Sequence, residues 1–232
     1  MSIAENIARI REDIRQAALE ADRDPAQIQL CAATKMNDAG RVRQAIAAGV
    51  DCCGENRVQE LTQKLAENAY AGAPVHFIGH LQTNKVKQVV GKVELIQSVD
   101  SLRLLQAIQA EAGKQGIVQD ILLEINVGNE ASKSGFTVRE IDPLLQNFSH
   151  FPNVRVRGFM AIPPISHFSG ENIKFFQEIY NLSVDITAKK YDNVLVEIMS
   201  MGMSNDYRDA IRCGSTMIRI GTAIFGARDY TK

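Results

Sequence analysis

The residue in this sequence best placed to do chemistry is Lys35. It follows the apolar run Leu30-Cys31-Ala32-Ala33-Thr34 and, by strand alternation, shares a face with Cys31 and Ala33, whose small side chains leave room beside it. A lysine rising from a core into a cavity is partly desolvated. That lowers its pKa and favours the neutral amine that attacks carbonyls. Read alone, a lysine snorkelling to solvent at a strand end fits as well. Two glycine- and hydroxyl-bearing turns near the end of the chain, Ser200-Met201-Gly202-Met203-Ser204 and Gly221-Thr222, have the composition of phosphate-binding turns. A Schiff-base lysine with a phosphate cradle points to pyridoxal phosphate. Arg219 shares a face with Gly221 and, if buried, needs either an acceptor on a bound ring or an ion pair to Glu197 or Glu124. Asn56 suits a phenolic oxygen or a helix cap, and His80 is a structural histidine or a proton carrier. His76, His150 and His167 show no metal or triad spacing, and the 128–135 loop reads as a lid or a partner contact.

The elements that must position these groups alternate along the chain. Strand-like runs at 29–34, 51–54, 75–78, 94–97, 121–127, 154–160, 195–199 and 217–220 are separated by helix-like stretches at 38–48, 57–70, 83–90, 101–115, 137–148, 171–189 and 205–212. Strands joined through helices make a parallel sheet, and eight of them in a chain of 232 residues predict a single α/β domain over residues 1–232, a closed (β/α)8 TIM-type barrel. The competing open doubly wound sheet lacks its Gly-x-Gly-x-x-Gly turn, since the first strand runs into Thr34-Lys35-Met36-Asn37. In such a barrel Lys35, Asn56, His80, Ser200–Ser204 and Gly221-Thr222 fall at the carboxyl ends of the strands, where ligands bind. Ahead of the barrel, Ser2-x-x-Glu5 and Ile3, Ile7, Ile10 and Ile14 predict an extra N-terminal amphipathic helix, for packing or association.

Composition narrows the partners. Lys plus Arg number 26 against 27 Asp plus Glu, Trp is absent, and aromatic residues are 6%, so neither a nucleic-acid nor an anionic-membrane surface is expected. The first residues carry neither a basic region nor an apolar run, which predicts a cytoplasmic protein. Cys31, Cys52, Cys53 and Cys213 form no C-x-x-C pair and read as buried, reduced thiols, with no metal site expected.

Together, Ala33-Thr34-Lys35, Gly54-Glu55-Asn56-Arg57, the block from His76 to Lys85, Ser200 to Ser204 with Asp206, and Arg219 to Gly226 resemble the pyridoxal phosphate homeostasis protein family along nearly the whole chain. The resemblance implies the barrel of the alanine racemase N-terminal domain. It implies an internal aldimine on Lys35, a phosphate held by Ser200, Gly221 and Thr222, Arg219 at the pyridine nitrogen, and Asn56 near the phenolic side. Asn37 stands where the family carries a basic residue. No residue is expected to be catalytic, because an arginine at the ring nitrogen weakens the electron sink. The eight units also use up the chain, leaving no second domain of the kind that supplies a racemase's second base. The implied role is a cofactor carrier in vitamin B6 and amino-acid/keto-acid homeostasis, a monomer or weak dimer with apo-enzymes as recipients. An amino-acid racemase borrowing its base from elsewhere and a cofactor-free Schiff-base aldolase are the alternatives.

Overall fold

In the computed structural model, which describes residues 1–128, 130, 134–165 and 168–226, the eight apolar runs become eight parallel strands that close in chain order. They are β1 (Gln29–Ala33), β2 (Cys52–Glu55), β3 (Val75–Phe77), β4 (Leu95–Val99), β5 (Gln119–Ile125), β6 (Val154–Ala161), β7 (Val194–Ser200) and β8 (Met217–Ile220). The ring is sealed between β1 and β8, where Cys31 lies opposite Arg219 and Ala32 opposite Ile220.

Alternation sorts the strand side chains into two sets. Leu30, Ala32, Cys53, Phe77, Ile96, Ile121 and Leu123 face outward into the main apolar core under the helices. Cys31, Cys52 and Met217, and separately Leu95, Leu122 and Met160, form small clusters inside the barrel.

The helices are α1 (Ile3–Glu20), α2 (Ala39–Ala47), α3 (Val58–Ala66), α4 (Leu102–Gln115), α5 (Val138–Gln146), α6 (Ile173–Lys189), α7 (Tyr207–Arg212) and α8 (Thr222–Phe225). Two depart from expectation. The stretch from 83 to 90 is a 3-10 helix, Thr83–Gln88, closed by three-residue bonds from the Lys85 amide to the Gln82 carbonyl and from the Val89 amide to the Val86 carbonyl. A one-turn helix, α8, follows β8 directly and is too short to leave a periodic signature.

Helix α1 begins with the expected capping box: the Glu5 amide donates to Ser2 Oγ at 3.2 Å, and the Ser2 amide to Glu5 Oε2 at 2.7 Å. Ile3, Ile7, Ile10 and Ile14 are all buried, worth roughly 6–12 kcal/mol together before chain entropy is charged against it, so the apolar stripe belongs to the body of the protein. Asn6 donates to the carbonyl of Ile224 in α8, Asp13 bonds Tyr207 and Arg208 of α7, and Arg11 pairs with Asp51 ahead of β2. Among the described residues no helix is long and apolar enough to cross a membrane.

Candidate functional site

Lys35 sits two residues beyond β1, half-buried, in a turn fastened from behind by α3. Thr34 points away from the barrel interior, and its hydroxyl donates to Glu55 Oε1 at 2.5 Å. The buried Lys64 of α3 donates to the same carboxylate at 2.6 Å and to the carbonyl of Thr34 at 2.8 Å. Burial drives the Glu55 carboxyl above its ordinary range even against the pull of Lys64. Met36 then takes a left-handed conformation, φ 60°, uncommon outside glycine, and its amide is held at 2.7 Å by Glu60. Asn37 donates from its side chain to the Lys35 carbonyl at 3.0 Å and accepts from Arg41 at 2.9 Å. Asn37 is thus a brace for the lysine turn.

Strand register brings the other residues to Lys35. Ala33 is opposite Gly54, so Lys35 and Asn56 lie two residues beyond the same rung of β1 and β2. Asn56 is half-buried, and its Oδ1 is buried with no hydrogen-bond partner among the described residues. On the other side of β1, a Cβ built on Gly221 would touch only Ala33, at 3.5 Å, with no other atom within 4 Å, so the backbone there borders open space. Thr222 begins α8, whose first amides have no intrahelical acceptor.

Arg219 is 5% exposed and its burial favours the uncharged form, yet no carboxylate pairs with it among the described residues. Its Nη1 donates to the carbonyl and the hydroxyl of Ser200, both at 2.6 Å, and Nη2 donates to the Ala161 carbonyl at 3.0 Å. The anticipated pair with Glu197 does not form. Glu197 lies on the opposite face of β7 from Ser200 and takes Arg157 at 2.5 Å outside the barrel. Glu124 is felt by Arg219 electrostatically but lies outside ion-pair distance; burial and the nearby Asp100 push its carboxyl up to about 7 while Arg219 pulls it down.

The turn after β7 is less open than its composition suggests. The Ser200 hydroxyl accepts from Arg219 and donates to Gln97 Oε1 at 2.6 Å, and the Met203 amide donates to Asp206 at 2.7 Å. Gly202 is obligatory here: at φ 95° a Cβ would lie 2.6 Å from Ala210 Cβ and 2.9 Å from Tyr207 Cα.

Sequence reasoning missed two groupings. His80, at the rim, meets Asp100 at 3.0 Å, and Asp100 also accepts from Ser101. Inside the barrel, Cys31, Cys52 and His76 bring potential ligand atoms within 4.8 Å of one another. Cys31 and Cys52 are partners across neighbouring strands, a proximity that only the β1–β2 register reveals. His76 Nδ1 is occupied by the Gln97 side-chain amide at 2.9 Å, burial keeps the ring neutral, with a pKa pushed down to about 4, and the neighbouring Cys31 thiol, followed by burial, raises the Cys52 thiol. All four cysteines are free and buried, as their spacing suggested. His167 and much of the 128–135 loop lie outside the described residues.

Residues 3–229 match the family model for the alanine racemase N-terminal domain. The chain is 40% identical over 231 residues to the pyridoxal phosphate homeostasis protein of Pseudomonas aeruginosa, covering 99% of this chain and 97% of that one. It is 39% identical to the protein of that name from Aquifex aeolicus, covering 99% and 100%. Among solved structures, PipY of Synechococcus elongatus with PLP bound is 30% identical with a TM-score of 0.83, covering 97% of this chain and 100% of that one. Alanine racemase of Clostridium difficile, 17% identical with a TM-score of 0.65 over 98% of this chain and 58% of its own, shares the fold alone. By sequence over nearly its whole length and by the architecture of its barrel, this chain belongs to the pyridoxal phosphate homeostasis protein family, built on the alanine racemase N-terminal-domain fold.

Proposed function

We propose that this chain binds pyridoxal 5′-phosphate in the barrel mouth, held covalently through the amine of Lys35, and that it serves intracellular homeostasis of the cofactor and of amino acids and keto acids without efficient turnover. Recipients of the cofactor would be apo-enzymes that require it. The names of the relatives and the PLP-bound PipY structure support the ligand.

The residues present fit that ligand. Lys35 offers a primary amine, the orphaned amide oxygen of Asn56 awaits a polar partner, and the open backbone at Gly221 with the first amides of α8 suits a phosphate. The Ser200 hydroxyl is committed to Arg219 and Gln97, so Ser200 acts through Arg219 and leaves phosphate contact to Gly221 and Thr222.

The observation that carries the proposal is Arg219. Its three hydrogen bonds leave at least two of the five guanidinium N–H donors for a ligand. A guanidinium does not give up its proton, so an aromatic nitrogen placed against it stays an acceptor. Bound pyridoxal phosphate supplies an aldehyde and an electron-withdrawing ring, and an unprotonated ring withdraws electrons weakly. Arg219 therefore favours holding the cofactor over using it.

Borohydride reduction of the native protein followed by peptide mass spectrometry tests this directly. The expected result is a pyridoxyl-phosphate adduct on Lys35, lost in Lys35→Ala. A protein that cannot be loaded, or an adduct on another lysine, overturns it.

A further inference from the structure

A line of polar side chains crosses the barrel interior from β8 to β3, and its donors and acceptors match along the whole line. Arg219 can only donate, so the Ser200 oxygen 2.6 Å away is its acceptor. The single Ser200 hydroxyl proton goes onward, to Gln97 Oε1 at 2.6 Å. With its oxygen turned toward Ser200, Gln97 presents its NH2 to the other side, where it donates to His76 Nδ1 at 2.9 Å and lies 3.1 Å from Met217 Sδ. His76 Nδ1 is then unprotonated, and the neutral ring carries its proton on Nε2. Ser200, Gln97 and Met217 are wholly buried, and Arg219 and His76 nearly so, so no water competes for these contacts.

We infer that Gln97 is a positioning residue for Arg219: it clamps the Ser200 hydroxyl against the guanidinium and is itself held in one orientation by His76. The inference rests on the assignment of Arg219 to the cofactor ring made above and deepens it. The orientation of the cation that meets the ring is set before any ligand arrives, by an amide on β4 that lies 122 residues earlier in the chain. The same wiring removes His76 as a metal ligand beside Cys31 and Cys52. One ring nitrogen has its lone pair engaged by Gln97 and the other carries the proton.

Nitrogen-15 NMR of cofactor-free protein at pH 7 gives the first test. His76 is expected as the neutral Nε2–H form, and protonation on Nδ1 overturns the inference. Two variants give the second. Gln97→Met keeps length and removes both contacts. It is expected to weaken pyridoxal phosphate binding roughly tenfold, the worth of about one hydrogen bond, and to speed solvent exchange of the Arg219 Nε–H. Gln97→Glu retains the acceptor for Ser200 and draws a second proton onto His76. It should recover affinity to within roughly threefold of the parent, as expected when the contact to Ser200 is kept. A folded Gln97→Met protein with parental affinity and parental Arg219 exchange overturns the inference. If Gln97→Met does not fold, the His76 tautomer and the Gln97→Glu protein decide. If the parent takes up no pyridoxal phosphate, the function proposed above fails, while the tautomer and Arg219 exchange still judge the positioning.

Discussion

Replacing Lys64 with methionine tests how the lysine turn is held. The two side chains have similar length, so the change removes a charge and its hydrogen bonds without opening a large cavity. Lys64 is 5% exposed and Glu55 not at all, so deleting one partner leaves a buried carboxylate facing only the Thr34 hydroxyl. Breaking a buried ion pair from one side costs about 3–5 kcal/mol. Glu55 has an escape, which is to take up a proton. At pH 7 that uptake costs at most about 3.4 kcal/mol, at 1.36 kcal/mol per pH unit above its ordinary 4.5, and at pH 5 only about 0.7 kcal/mol. The Lys64→Met deficit should therefore be about 3 kcal/mol at pH 7 and shrink to about 1 kcal/mol or less at pH 5. The direction is that of a carboxyl whose folded pKa lies above its unfolded value: stability is retained at low pH and lost as pH rises. Urea unfolding followed by circular dichroism at the two pH values measures it. The double change Glu55→Gln with Lys64→Met should recover most of the loss, since no charge is then stranded. A Lys64→Met protein within about 1 kcal/mol of the parent at pH 7, or one whose deficit is the same at pH 5, would show that the charge pair is not what holds the turn.

Two further perturbations probe the rest of the site. Gly202→Ala places a Cβ against Ala210 and the Tyr207 backbone at a left-handed φ. It should cost about 2–4 kcal/mol in thermal unfolding and loosen cofactor binding; an unchanged Tm would mean that the turn relaxes freely. Glu124 has a folded carboxyl pushed up to about 7, so ionising it above that pH destabilises the folded state relative to an unfolded carboxyl at 4.5. Glu124→Gln should raise Tm at pH 8 and leave it unchanged at pH 4, and an equal shift at both values contradicts the assignment.

The barrel was legible because its signals are local. Eight apolar runs, their spacing and their capping residues are each contained in short windows, and strands follow from them within a few residues. The segment around Val86 has an apolar spacing that suits an α-helix, and spacing alone does not distinguish that from the 3-10 turn it forms. Candidate site residues are legible where chemistry is carried by residue type at a strand end, and register places Lys35 and Asn56 beyond one rung, with Gly221 beside Ala33. What connects them was not legible. That the Ser200 hydroxyl meets Gln97, 103 residues earlier, follows only from barrel closure. Cys31, Cys52 and His76 converge only through register between three strands. Glu197 could have been set aside from the sequence, since it is three residues from Ser200 and must point the other way.

The seam between β1 and β8 also has a consequence for how the protein comes into being. Lys35 lies on one side of that seam and Arg219 and Gly221 on the other, with more than 180 residues of chain between them. Synthesis runs from the amino end, so the nascent polypeptide carries its lysine long before it carries the arginine and glycine that complete the proposed pocket. A cofactor that needs both sides cannot be captured on the ribosome until β8 has emerged, and the ring-sealing contacts are among the longest-range in the chain. On the proposed assignment of the site, loading is therefore a post-closure event.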